Sequence, residues 1–138
     1  MNDRRMAARG ARGETLVEFA LSALMFFMLI FGIIEFGRGV FYYTVIANLS
    51  KEGARYAAVH GSSSGDEKNA TQIGTYVQSI SLGLNPQVST TWPDSGSPSN
   101  SPGKKVKVLV TKNFTPLTSI IPHPTMTLKS SAQLVIAR

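Results

Sequence analysis

From Phe19 to Ile34 sixteen consecutive residues are interrupted only by Ser22 and Gly32. Adding Leu16 and Val17 brings the run to roughly the ~20 residues whose helix spans a ~30 Å hydrocarbon core. The segment is therefore long enough to cross a bilayer. Just inside its leading edge it carries a carboxylate, Glu18. An acid near the membrane centre costs about 2.5–3.5 kcal/mol on insertion scales, and less near the interface. Two readings follow: an acid that reaches back to water from one turn inside, or an acid kept for a function.

Charge around the segment sets its orientation. Arg4, Arg5, Arg9 and Arg12 against Asp3 supply +3 of the formal net charge of +6, and the remaining chain is only mildly basic. Only Arg38 lies close after the apolar run. The positive-inside rule then places the N-terminus in the cytoplasm and the C-terminal part outside. A cleavable secretory signal is a poor fit, because the apolar run exceeds an h-region of about 7–15 residues and EFGRG follows it in place of a small-residue A-x-A site. The Arg4-Arg5 pair has nothing around it to support a twin-arginine signal. The chain has no cysteine, so neither a disulfide framework nor a thiolate metal site holds an exported portion together.

A length of 138 residues leaves room for one small domain beside the apolar segment. Few helix breakers interrupt Glu14 to about His60, and at ~1.5 Å per residue such a helix is about 70 Å long, so its second half stands outside the bilayer. In that half Ala47, Ser50, Ala54, Ala57 and Ala58 recur at three- and four-residue steps, a small-residue stripe for core packing. Gly32, Gly37 and Gly39 weaken the helix near the outer face, each costing about 1 kcal/mol relative to alanine, and suggest a hinge or locally melted segment. Phe41, Tyr42 and Tyr43 fit an outer aromatic belt or subunit packing.

The turn-rich stretch 60–69 ends the long helix. A short amphipathic helix is expected over 70–84, with Ile73, Tyr76, Val77, Ile80 and Leu84 on one side and Gly83, Asn85 and Pro86 as its stop. Periodicity then changes to two. Strands are expected at 88–92, at 105–110 with Val106, Val108 and Val110 on one face, and in a last segment with Met126, Leu128, Ala132, Leu134 and Ile136 facing inward. Loops at 94–103 and 114–124 connect them. The expected class is α+β: a long N-terminal helix packed on a small antiparallel sheet of about three strands, with a second short helix. The expected divisions are a basic leader at 1–13, a transmembrane helix at 14–36, its exterior half at 37–61 and a small exterior domain at 62–138.

Catalytic chemistry is not where the sequence invests. His60 and His123 have no ligand-spaced acids, and neither a P-loop nor a dinucleotide fingerprint is present, so no enzyme activity, metal or cofactor is expected. Asp66-Glu67 lacks the alternating oxygens of a calcium loop. Lys104, Lys105, Lys107 and Lys112 read as edge-strand protection or a solvated face, with contact to DNA, an anionic polymer or a surface as the alternative. Lacking interleaved aromatics or arginines, they predict no specific nucleic-acid binding. The N-x-S/T matches at Asn48, Asn69 and Asn113 are short patterns of low specificity.

The stretch RG-ETLVEF, with its basic leader, Gly13, Glu at the fifth position after the glycine and then Phe19, resembles the processing site of the type IV pilin superfamily. Together with EFGRGVFYYTVIANLSKEGARYAA and the later FTPL, it is similar to the TadE-like pseudopilin family of the tight-adherence pilus system. The resemblance implies a bacterial inner-membrane, single-pass minor pilin cut by a prepilin peptidase between Gly13 and Glu14. Cutting at the competing Gly10 would put Thr15 in fifth place. It further implies assembly through Glu18 and Phe19, with the new α-ammonium at Glu14 of one chain paired to Glu18 of a neighbour. A pilus assembly platform and other pilin or pseudopilin subunits are the implied partners, and adhesion by a Tad-type pilus, with the subunit in it or at its base or tip, is the implied role. Glu35 and Arg38, three residues apart on the helix, are a possible subunit contact. Glu14 departs from the apolar or small residue that often begins mature pilin-type chains. The alternative is an uncleaved bitopic envelope protein whose exterior domain binds a partner.

Overall fold

The computed structural model describes residues 3–94, 100–117 and 125–137. Its elements are α1 (Asp3–Val59), α2 (Ala70–Ser79), β1 (Gln87–Thr91), β2 (Lys105–Phe114) and β3 (Met126–Val135), an α+β arrangement with one antiparallel sheet of order β1-β2-β3. The chain divides into two compact units, residues 1–37 and 38–138. His123 and the connection at 118–124 lie outside the described residues, as do residues 95–99 of the preceding loop.

In the first unit the helix starts at Asp3, well before the expected Glu14. Alanine and arginine, both good helix formers, dominate residues 4–12 and carry the helix through them. Helix continues without a break across Gly32, Gly37 and Gly39. An 18-residue window of this helix has a mean hydropathy of 2.4 and none of it is buried. A soluble core helix of that composition would be covered, so this one is a candidate membrane span.

The second unit is built on β2. It pairs with β1 from Gln87↔Thr111 to Thr91↔Lys107, and with β3 over ten residues from Lys105↔Val135 to Phe114↔Met126. One face of β2 places Val106, Val108 and Val110 wholly out of solvent. Each such side chain contributes at most about 1.5–3 kcal/mol, an upper bound set by an extended reference chain. Against them the outer half of α1 lays Ile46, Leu49, Ser50, Gly53, Ala54, Ala57 and Ala58. The small-residue stripe is thus a packing face, though Ala47 is only half-buried and Ile46, Leu49 and Gly53 complete it. At Gly53 the approach is closest: an added Cβ would stand 2.7 Å from Val77 Cγ2 and 3.1 Å from Val108 Cγ1. The buried Ser50 hydroxyl donates to the Ala47 carbonyl at 2.9 Å and lies within hydrogen-bonding distance, 3.1 Å, of Ser130 Oγ on β3.

Several boundaries differ from expectation. Helix α2 begins with a capping box, the Asn69 side chain accepting from the Gln72 N–H and Gln72 accepting from the Asn69 N–H. It ends at Ser79 and not near Leu84, because Leu82 (φ 52°), Gly83 (φ 78°) and Asn85 (φ 46°) all adopt left-handed backbone. Ile73 and Val77 are buried, Tyr76 and Leu84 half-buried, and Ile80 is exposed. Strand β2 runs four residues past the expected Val110, since its pairing with β3 continues to Phe114. The inward parity holds for Leu128 and Ala132 on β3 and for Ile136 just past its end, but Met126 and Leu134, toward the two ends of the strand, are 62% and 43% exposed.

Candidate functional site

A helix advances 100° per residue, so positions four apart share a face. Gly13, Glu14, Val17, Glu18 and Leu21 therefore border one exposed surface of α1. Two carboxylates at i and i+4 repel, which costs an isolated helix about 0.2–0.5 kcal/mol in water and more where water is absent. Neither Glu14 nor Glu18 has a hydrogen bond or ion pair within the described chain. Phe19, next to Glu18, is 71% exposed. An extra Cβ at Gly13 meets nothing within 4 Å, so packing within the chain does not require glycine there. Among the described residues this acidic face, set in an apolar and uncovered helix, has no partner.

Glu35 belongs to the first unit and Arg38 to the second. Within the second unit the Arg38 guanidinium carbon lies 5.3 Å from the Phe114 ring centroid and 5.6 Å from that of Tyr42. Tyr42 meets Phe114 edge-to-face at 5.8 Å. A guanidinium over two rings is a cation–π contact worth about 0.5–1 kcal/mol at an exposed site. Tyr42 is thereby drawn into the unit's packing, whereas Phe41 and Tyr43 remain more than half exposed. The spacing of Arg38 and Tyr42 at i, i+4 was visible in the sequence; Phe114, 72 residues on from Tyr42, was not.

The remaining polar groups form structural links. His60 Nδ1 lies 2.8 Å from the Tyr56 carbonyl and its ring packs on Tyr56, which in turn stacks on Tyr76 at 4.0 Å. Lys68 donates to Asp66 at 2.6 Å. That hydrogen bond holds the Asp66 carboxyl below its ordinary range and pushes the Lys68 ammonium above its own. Asn100 ties the same loop down through the Lys68 carbonyl and Glu67. Among the described residues no three His, Cys, Asp or Glu side chains are grouped to hold a metal ion.

The profile of the TadE-like protein family matches residues 13–55. Over that segment, about a third of the chain, the sequence is similar to TadE-like proteins. The match starts at Gly13, contains Glu14, Glu18, Glu35 and Arg38, and ends inside α1 before α2 and the sheet. No curated protein and no solved structure matches the chain. The matched segment and the long apolar helix in which it lies together fit a minor pilin related to the Tad pilus, a structural kind of protein associated with membrane-borne pilus components.

Proposed function

We propose that the chain is a minor pilin or pseudopilin of a Tad-type pilus, inserted with its N-terminus in the cytoplasm and its second unit outside. A prepilin peptidase cuts between Gly13 and Glu14, and the trimmed helix enters or primes a filament together with other pilin subunits at a membrane assembly platform. The observation that carries this reading is the acidic face of α1, unpaired among the described residues and lying in a helix whose apolar surface is uncovered. Cutting after Gly13 creates an α-ammonium on Glu14, beside that face. One chain's ammonium then meets a neighbour's Glu18 away from water, and slippage between helices leaves both charges stranded. The profile match beginning at Gly13, and the lack of any packing demand for glycine there, support a processing role for this position. Glu35 and Arg38 are a second proposed contact between subunits, at the outer end of the same segment.

Mass spectrometry of protein recovered from membranes and from sheared surface fibres tests the proposal. An N-terminus at Glu14 in the fibre fraction is expected. Protein that always retains residues 1–13 and never enters fibres refutes it and favours an uncleaved bitopic envelope protein.

A further inference from the structure

The outer face of the sheet is a broad surface of the second unit that no described element covers. Alternation on β2 sends Val106, Val108 and Val110 toward the helices and Lys105, Lys107, Leu109, Thr111 and Asn113 the other way. The register brings Gln133 beside Lys107 and Lys129 beside Thr111 on this outer face. All the outward residues of β1 and β3 are exposed, and on β2 only Leu109 and Thr111 are half-covered. Lys112, expected from the sequence to join Lys105 and Lys107, lies on the opposite side, where its ammonium donates to the Leu84 carbonyl at 2.5 Å. Lys129 takes its place.

Lys105, Lys107 and Lys129 thus form a line. The first two are about 7 Å apart along β2, and Lys129 is about 13 Å further and one strand across. None of the three ammonium groups has an ion-pair partner among the described residues. From Ser95 to Arg138 the sequence contains six Lys or Arg and no Asp or Glu. The nearest acid in sequence, Asp94, accepts from the Lys105 backbone N–H at 3.0 Å at the rim of the face. The unit's other acids lie on α1 (Glu52) and on the loop before α2 (Asp66 and Glu67). A flat face of one sign, with hydroxyl and amide side chains between its charges, is complementary to a polymer that presents both carboxylates and hydroxyls.

We propose that this face binds an acidic polysaccharide, its carboxylates on Lys105, Lys107 and Lys129 and its hydroxyls on intervening groups such as Thr111, Asn113 and Gln133. The face carries neither arginine nor an aromatic ring, so it lacks the stacking platforms of single-stranded nucleic-acid binders. Its only exposed apolar side chain is Val135 at one end, too little to anchor it in a bilayer surface. Single exposed ion pairs are weak, so affinity comes from repeating the contacts along a polymer and from neighbouring subunits. The inference does not depend on cleavage at Gly13.

The test uses the full chain in neutral detergent micelles, with alginate as the acidic polysaccharide, dextran as a neutral one, random-sequence duplex DNA, and phosphatidylglycerol vesicles. Binding to alginate but not dextran is expected, weakened about twentyfold as salt rises from about 50 to about 200 mM, the scale that counterion release on a single-stranded polyanion sets for about three contacts. The triple variant Lys105→Gln, Lys107→Gln, Lys129→Gln should lose most of the alginate binding. The variant Lys51→Gln, Arg55→Gln, Lys68→Gln removes the same charge elsewhere and should stay within about twofold of the parent. Trp92 fluorescence melts confirm that both variants fold. The proposal is overturned by absence of alginate binding, by equal losses in the two variants, or by tighter binding to DNA or to the vesicles.

Discussion

Replacing Gly53 with alanine tests whether α1, α2 and β2 meet as closely as described. Alanine in place of glycine inside a helix ordinarily stabilises by about 1 kcal/mol. At position 53 the new methyl would stand 2.7 Å from Val77 Cγ2 and 3.1 Å from Val108 Cγ1, and both valines are wholly buried. Val77 is helical and β-branched, with one strongly preferred χ1, so its methyl cannot swing aside cheaply. Overpacking of this kind costs about 1–3 kcal/mol. The balance is a net loss of up to about 2 kcal/mol. Gly74 in α2 supplies the control within the same unit, since a Cβ there meets Val88 Cβ at an ordinary 3.9 Å. Gly74→Ala should therefore stabilise by up to about 1 kcal/mol.

Trp92 is the only tryptophan and packs against this core, so its fluorescence reports the second unit during thermal unfolding of the full chain in micelles. For a unit of this size 1 kcal/mol moves Tm by about 4–8 °C. Gly74→Ala should raise Tm by several degrees and Gly53→Ala should lower it. Adding Val77→Ala to Gly53→Ala removes the closer of the two contacts, that at Val77 Cγ2, so the double variant should be more stable than the sum of the single effects by about 1–3 kcal/mol. A Gly53→Ala protein as stable as Gly74→Ala, or an additive cycle, refutes the close approach.

The loop before α2 supports two further expectations. Asn69→Ala removes the capping box and should cost about 1 kcal/mol by the same fluorescence melt, with Asn69→Asp close to the parent. The Asp66 carboxyl is held low by its hydrogen bond to Lys68, so its contribution is present above the ordinary carboxylate pKa and is lost as pH falls through the lower folded value. Asp66→Asn should accordingly flatten part of the acid limb of a Tm-against-pH curve and leave its neutral region nearly unchanged; an unaltered acid limb counts against the link.

Local patterns made much of the fold legible, and contacts distant in sequence account for what they missed. A continuous apolar run, a three-four stripe of small residues and the two-residue alternation of Val106, Val108 and Val110 each report one element's own buried face. Helix α2 misled because Ile80 and Leu84 continue its apolar period, while Leu82 and Asn85 enter left-handed backbone despite having side chains. Gly53 was passed over because a glycine inside a helix reads as a weakness until the side chains it admits are known. The separation of Lys112 from Lys105 and Lys107 follows from strand parity, but recruitment of Lys129 requires the β2–β3 register. Of the candidate site, the sequence displays the residues themselves; the partner proposed for Glu18 belongs to a second chain and is written in neither local pattern nor core packing.

In the proposed assembly that second chain has to be found by something other than shape. Helix α1 presents large apolar side chains on every side between Phe19 and Phe36, all but a few of them about half exposed or more. Such surfaces pack in many registers of similar energy, since lipid and protein are equally apolar and no small-residue pair such as GxxxG fixes a crossing point. A charge does discriminate among registers: breaking a buried pair by removing one partner costs about 3–5 kcal/mol, a factor of hundreds or more. If pairing with the new α-ammonium is what Glu18 supplies, Glu18→Gln must fail nearly as badly as Glu18→Ala, because the amide keeps size and hydrogen bonding but not the negative charge. Both variants should still lose residues 1–13 and accumulate in the membrane, since removing the acid eases insertion. The measurement is the fraction of trimmed protein recovered in sheared fibres. Recovery of Glu18→Gln at the parental level, with Glu18→Ala absent, would show that a neutral hydrogen bond suffices and would end the charge-pairing account while leaving the processing site untouched.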